Sequence, residues 1–268
     1  MSIRFGIISD PQYSDIDDMK GLLYRQSLGK LKSAIEVLNG ESLEFVMQLG
    51  DFIDHEYESF APALKVWEAL EHKSYHVLGN HDFCVRPPFK ERVLNTLGLK
   101  TGNYSFESGN YKFIVLNGNG LSFNAYDADS AMYQLSESYY ESLSCESEWW
   151  NGAIDKPQME WFKEELESAE YSGKSVIVFC HYPLLGEDRF LLWNSSSVIE
   201  LLEQFSCVKA WLNGHYHEGN YSVKNNIHYL TMKGMVQFEQ LTFSIAELSG
   251  NSLQIRGFGA EECRLLEF

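Results

Sequence analysis

No stretch of this 268-residue chain approaches the ~20 consecutive apolar residues that a membrane-spanning helix needs, so no membrane partner is expected. Cysteine is sparse and unsuitably spaced. The five residues Cys84, Cys145, Cys180, Cys207 and Cys263 are odd in number, far apart and never C-x-x-C. That argues against a zinc knuckle or a disulfide frame and suits free thiols in a reducing cytosol, so a cytoplasmic location is expected. Positive charge is also short: 21 Lys and Arg face 38 Asp and Glu, a formal net charge of −17. Such a surface repels phosphate backbones, and nucleic acid is not an expected partner. It also repels a small anionic substrate unless local cations override it. The opening Met1 to Ile8 has no small-residue cleavage site and reads as a first strand rather than a signal peptide. The N-x-S sequons at Asn103, Asn194 and Asn220 then read as chance.

What the chain does have is an alternation of apolar runs and helical periodicities. Phe5–Ser9, Leu43–Leu49, Ser74–Leu78, Ser175–Cys180 and Cys207–Leu212 read as buried strands. Helical spacing predicts helices over 20–39, 58–72, 87–97, 156–172 and 195–205. Ser108-Gly109-Asn110 between two apolar segments predicts a hairpin, and short strands follow around 221–223, 227–231, 241–246 and 253–258. Residues 118–155, rich in Ser, Tyr, Glu and Asp and carrying Trp149-Trp150, interrupt this rhythm as an excursion beside the site or a plain surface insertion. No repeat or linker divides the chain, so one α/β domain over 1–268 is expected.

Polar residues recur where the apolar runs stop. Asp10, Asp51, Asn80, His181 and the pair His215/His217 each follow the end of a strand. In open α/β sheets, ligands bind outside the carboxyl ends of strands. Each such residue alone is an ordinary loop residue, and most carboxylates in so acidic a chain are solvated surface. Five strands delivering carboxylate, carboxamide and imidazole to one edge, without a thiolate, suit Mn²⁺, Fe or Zn²⁺ rather than a soft-metal centre.

The blocks Asp10-Pro11-Gln12, Gly50-Asp51-Phe52-Ile53-Asp54, Gly79-Asn80-His81-Asp82, His181 and Gly214-His215-Tyr216-His217 resemble, in order, the pattern of the calcineurin-like metallophosphoesterases. Gln12 departs from the His usual in the first block. Asp-x-Gln-Tyr there, together with V-M-Q-L-G-D-F-I-D, Trp193-Asn194, G-H-Y-H-E-G-N-Y and the late R-G-F-G, is similar to the manganese-dependent ADP-ribose/CDP-alcohol diphosphatases.

The resemblance implies a four-layer sandwich of two mixed β-sheets flanked by helices, with a dinuclear metal centre. One metal would take Asp10, Gln12 and His217, the other Asn80, His181 and His215, with Asp51 bridging. The neutral, hard amide oxygen of Gln12 would favour Mn²⁺, with Fe or Zn possible. Two such cations ready a hydroxide near neutral pH and can outweigh a net-negative surface. His81, not a ligand in the pattern, would stabilise phosphate charge or protonate the leaving oxygen, oriented by Asp54 or Asp82. Asn194 and Tyr221 are candidate substrate contacts, whereas His55, His72, His76 and His228 match no block and read as structural or surface residues. The activity implied is hydrolysis of the diphosphate bond in ADP-ribose or CDP-alcohols such as CDP-choline or CDP-glycerol. A phosphomonoesterase or a cyclic-nucleotide phosphodiesterase would share the metal centre but not the pocket. A non-catalytic scaffold would lack ligands or His81, all of which are present.

Overall fold

The computed structural model describes residues 2–143 and 146–268; Met1, Ser144 and Cys145, the last one of the expected free thiols, lie outside the described residues. Strand β1 (Ile3–Ile8) leads into α1 (Tyr24–Asn39), β2 (Phe45–Gln48), α2 (Phe60–Trp67), β3 (Ser74–His76), the short α3 (Pro87–Lys90) and α4 (Val93–Thr96), and the hairpin β4 (Tyr104–Ser108) and β5 (Tyr111–Val115). The chain continues through β6 (Leu121–Ser122), α5 (Ala131–Glu141), β7 (Gly152–Ala153), α6 (Lys156–Tyr171), β8 (Ser175–Phe179), α7 (Ser195–Leu202) and β9 (Val208–Asn213). It ends in β10 (Asn220–Lys224), β11 (Ile227–Thr231), β12 (Phe243–Ser249), β13 (Ser252–Phe258) and β14 (Arg264–Glu267).

These strands form two six-stranded mixed sheets, ordered β14-β13-β12-β1-β2-β3 and β10-β11-β9-β8-β5-β4. In the first, β1, β2 and β3 run parallel; in the second, β5, β8, β9 and β11 do. Strand alternation sorts the apolar residues into layers. Ile3, Phe5, Ile7, Phe45 and Met47 face Phe113, Val115, Ile177 and Phe179 across the sandwich interior. On the outer face of the first sheet, Ile8 and Val46 meet Leu31, Ile35 and Leu38 of α1 and Phe60 and Ala63 of α2. Val176 and Val178 on the outer face of the second sheet pack on Phe162 and Leu166 of α6 and Val198 and Leu202 of α7. Strands covered on both faces read as continuous apolar runs, and this is why β1, β2 and β8 were visible in the sequence.

Several expected elements take different bounds. Helix α1 starts at Tyr24 rather than residue 20, because 15–18 form an acidic loop tied to its first turn by Arg25 to Asp15 and Asp17. The helix expected over 87–97 is two separate turns; Phe89 of the first lies flat on Tyr57 at 4.5 Å, and Lys90 donates to the carbonyls of Asn124 and Tyr126. Strand β14 was not anticipated. Within 118–155, β6 and β7 pair as a small ribbon, α5 is capped by Ser130, and Phe123 and Tyr140 surround Trp193. No helix among the described residues is long and apolar enough to cross a membrane, and Cys84, Cys180, Cys207 and Cys263 are free thiols.

Candidate metal centre

The parallel cores of the two sheets end at one common edge. There β1 delivers Asp10 and Gln12, β2 delivers Asp51, and β3 runs on through Val77 and Leu78 to Asn80. From the other sheet β8 delivers His181, and β9 delivers His215 and His217. All are buried except His217, whose side chain is 16% exposed.

Asp51 sits at the middle. Its Oδ2 lies 3.1 Å from His181 Nε2, and its Oδ1 accepts the His81 backbone N–H at 2.8 Å. Two groups of potential ligand atoms, each within 4.8 Å of one another, share this carboxylate: Asp51 with His181 and His215, and Asp51 with Asp10 and His217. Gln12 joins the second group through its backbone N–H, which donates to the Asp51 carbonyl at 2.8 Å.

The donors fit a pair of cations. The Nδ1 of His181 donates to the Leu49 carbonyl at 2.8 Å, which leaves Nε2 with a lone pair when the ring is neutral. That nitrogen faces His215 Nδ1 at 3.1 Å, an approach that needs a proton or a cation between the two. The amide oxygens Gln12 Oε1 and Asn80 Oδ1 are buried without any hydrogen-bond partner, a costly state that a metal would relieve. The backbone is also bent to the purpose. Asp10, Gln12, Asp51 and His215 all adopt the left-handed region, at φ of 47°, 43°, 50° and 71°. A Cβ on Gly79 would overlap the Asp51 carboxylate, and one on Gly214 would overlap that of Asp10, so both positions require glycine.

Electrostatics follow from this crowding. Burial alone would raise the Asp51 carboxyl, but the imidazoliums of His181 and His81 outweigh it and hold it well below the usual carboxylate range. Burial opposes charge on His181 as well, yet Asp51 beside it pushes the imidazole up to about 9. His215 is driven well below its ordinary value by burial and by its cationic neighbour His181. Asp82 is raised to about 7 by burial and then by Asp51; its oxygens accept the N–H groups of Phe52 and Gly79, so it holds the ligand loops rather than His81.

Asp54 is the residue that orients His81. Its Oδ1 lies 2.9 Å from His81 Nδ1 and accepts Gln12 Nε2–H at 2.8 Å. That bond also aims the other end of the Gln12 amide away from Asp54. Burial lowers the charged form of His81, but Asp51 and Asp54 prevail and raise its value.

A cleft of about 590 Å³ opens above the centre, walled by Trp149, Trp150, Arg189, Phe190 and Tyr216. Asn194 and Tyr221 do not line it. The Asn194 amide is occupied by the backbone of Ile154, and the hydroxyl of Tyr221 on β10 meets Nδ1 of His228 on β11 at 2.8 Å.

Sequence reasoning missed Asn151. It is fully buried, and its Oδ1 lies 2.6 Å from His215 Nε2. Its Nδ2 donates to Ser147 Oγ and to the Arg189 carbonyl, each at 2.8 Å, which fixes the amide orientation. Oδ1 must therefore accept Nε2–H, and the His215 Nδ1 lone pair is left for the centre. The available signal was the polar Asn151-Gly152 immediately after the two tryptophans, in a segment with no periodicity to place it.

A profile of the family described as Calcineurin-like phosphoesterase matches residues 3–219. The Manganese-dependent ADP-ribose/CDP-alcohol diphosphatase of Arabidopsis thaliana is 28% identical over 94% of this chain and 93% of its own length. Its namesake from Xenopus tropicalis is 26% identical, over 98% of this chain and 94% of its own. Among solved structures, a dimetal phosphatase from Danio rerio shares the fold at a TM-score of 0.89 and 23% identity, covering 99% of this chain and 98% of that one.

Proposed function

Because the chain belongs to the calcineurin-like phosphoesterase family, and is therefore a metal-dependent hydrolase, we propose that it cleaves the diphosphate bridge of nucleoside diphosphate-linked compounds, ADP-ribose or CDP-alcohols such as CDP-choline, with Mn²⁺ as its metal. Its setting in this reading is the cytoplasm. The observation that carries the proposal is Asp51, one buried carboxylate shared by two separate groups of ligand atoms. The names borne by full-length relatives at 24–28% identity support the substrate class.

In this reading Asp10, Gln12 and His217 hold one cation, Asn80, His181 and His215 hold the other, and Asp51 bridges them. Divalent ions so held neutralise phosphoryl charge and make water nucleophilic near neutral pH. Gln12 contributes a neutral amide oxygen, aimed by the Asp54 contact, which favours a hard ion. His81, whose charged form Asp51 and Asp54 favour, lines the cleft, where it can stabilise phosphoryl charge and give its proton to the leaving oxygen. Trp150, Phe190 and Tyr216 offer flat faces for a base; the Phe190 and Tyr216 centroids are 4.9 Å apart, and the Arg189 guanidinium lies 5.2 Å from the centre of the Trp150 ring.

The test is a substrate panel with Mn²⁺: ADP-ribose, CDP-choline, p-nitrophenyl phosphate and cyclic AMP. Turnover of the two diphosphates is expected; turnover of the monoester or the cyclic nucleotide alone overturns the proposal. His81→Ala should lower kcat on the order of 10²-fold with metal content intact.

A further inference from the structure

A second set of potential metal ligands lines the same cleft. His55, His81 and Cys84 each present a ligand atom, and the three atoms lie within 4.8 Å of one another. His55 follows the second ligand loop, whereas His81 and Cys84 lie on the short helical turn that starts after Asn80. All three line the cleft. None belongs to the seven residues assigned to the dinuclear centre.

Asp54 lies against both rings. Its Oδ2 pairs with His55 Nδ1, and its Oδ1 lies 2.9 Å from His81 Nδ1. The bond to Asp54 fixes the His55 tautomer and strengthens that ring as a donor, whereas His81 Nδ1 is buried beside the carboxylate without a hydrogen-bond partner. The two rings meet edge to face, with centroids 5.3 Å apart. The His55 side chain is 55% exposed, which gives it room to close on an ion. A tetrahedral zinc site, with Zn–N of about 2.0–2.1 Å and Zn–S of about 2.3 Å, needs only a modest contraction of this group.

The donor types decide which ion is taken. Two imidazoles and a sulfur favour Zn²⁺, which stands well above Mn²⁺ in affinity for such ligands. The dinuclear centre, with its carboxylate and amide oxygens and no sulfur, is harder.

We propose that His55, His81 and Cys84 form an inhibitory site for Zn²⁺ and similarly thiophilic divalent cations. On binding, the Cys84 S–H bond breaks and the S–Zn bond forms, and His81 gives up the proton on the nitrogen that takes the metal; both protons pass to solvent, and nothing is oxidised or reduced. His81 becomes a ligand and can no longer donate a proton toward bound phosphate. The inhibition rests on the role proposed for His81, whereas the binding does not.

Co²⁺ is the spectroscopic probe, added to Mn²⁺-loaded protein. Thiolate ligation gives a near-ultraviolet charge-transfer band, to which the sulfur-free dinuclear centre cannot contribute. One equivalent per chain should produce the band, Zn²⁺ should abolish it, and Cys84→Ser should lack it. No band, or a band that survives in Cys84→Ser, overturns the site. This measurement needs no turnover, so it decides the site even if no diphosphatase activity is found. In parallel, the Zn²⁺ concentration that halves the rate should rise at least tenfold in both Cys84→Ser and His55→Ala, each referred to its own zinc-free rate. Equal zinc sensitivity in wild type and Cys84→Ser, or full wild-type activity with the band saturated, overturns the inhibitory role.

Discussion

Strand β1 and the loop that follows it set two kinds of structure side by side. Phe5, fully buried, stacks on Phe45 at 4.8 Å and meets Phe113 edge-on at 5.9 Å in the sandwich interior. A few residues later Asp10 and Gln12 are bent into the left-handed region, and Gln12 Oε1 is buried without a partner. Left-handed backbone costs a non-glycine residue roughly 1–2 kcal/mol, and an unmet buried acceptor about 1–3 kcal/mol. The aromatic interior is complete in itself, whereas the polar edge is not: its contacts close only when something outside the chain enters. The interior thus stabilises an edge that would not be stable alone, and a cation stabilises the edge in turn.

Substitutions on the two sides should therefore fail in opposite ways. Asp51→Asn should cost on the order of 10³-fold in kcat, because one change removes the carboxylate common to both ligand groups. Metal analysis of the purified protein should show loss from both positions, and the metal-free melting temperature should fall only by the loss of the Asp51–His181 pair, a fall that disappears as pH rises through about 9. A variant with near-normal rate would break the division between edge and interior. Phe113→Ala should show the converse: about 3–5 kcal/mol lost in denaturant titration, with kcat per folded molecule and metal content unchanged. If Phe113→Ala emptied the centre without unfolding the chain, the interior would be part of the site and the comparison would fail.

Much of the edge was legible because its residues are local in sequence: each follows directly on an apolar run, and Gly50, Gly79 and Gly214 mark where the strands turn. The four layers were implied by the family pattern, and the doubly covered strands showed as unbroken apolar segments. What escaped depends on contacts distant along the chain. Asn151 acts on His215, 64 residues away, from a segment without periodicity. Strand β14 forms only by pairing with β13 and carries too few residues to signal itself. His55 matched no motif, yet a neighbour one residue away, Asp54, fixes its ring. Asn194 and Tyr221 were chosen from short matching motifs, and such motifs do not reveal that the Asn194 amide is spent on the backbone of Ile154 and the Tyr221 hydroxyl on His228.

Asn151 offers a finer probe of the same contrast. It is buried like an interior residue but serves the edge, holding His215 in the tautomer whose Nδ1 faces His181. Asn151→Ala should weaken metal affinity about 10–100-fold, the usual cost of losing a hydrogen bond that orients a ligand imidazole. The metal-free melting temperature should fall far less than in Phe113→Ala. A variant whose metal titration matches wild type would return Asn151 to the interior as a purely structural residue.

The gentlest probe is pH, and its sign follows from His181. Its folded value, about 9, lies above the ordinary 6.5, so in metal-free protein the Asp51–His181 pair contributes stability fully below pH 6.5 and loses it as pH rises through about 9. A cation bound at His181 Nε2 must displace that same proton. Metal binding should therefore strengthen with pH over this window, by about tenfold, or about 1.4 kcal/mol, per unit for the one proton released. For a chain of this size that is roughly 2–4 °C per pH unit in the difference between melting temperatures with Mn²⁺ and with chelator. Asp82, raised to about 7, and Lys30, lowered to about 8 by burial, also change protonation in this window, so the metal-free curve bends by more than the His181 contribution and the difference between the two curves is what reports on the cation. A metal-induced shift that is flat or falls between pH 6.5 and 9 would mean that no proton stands where the cation goes, and the edge would then be complete without one.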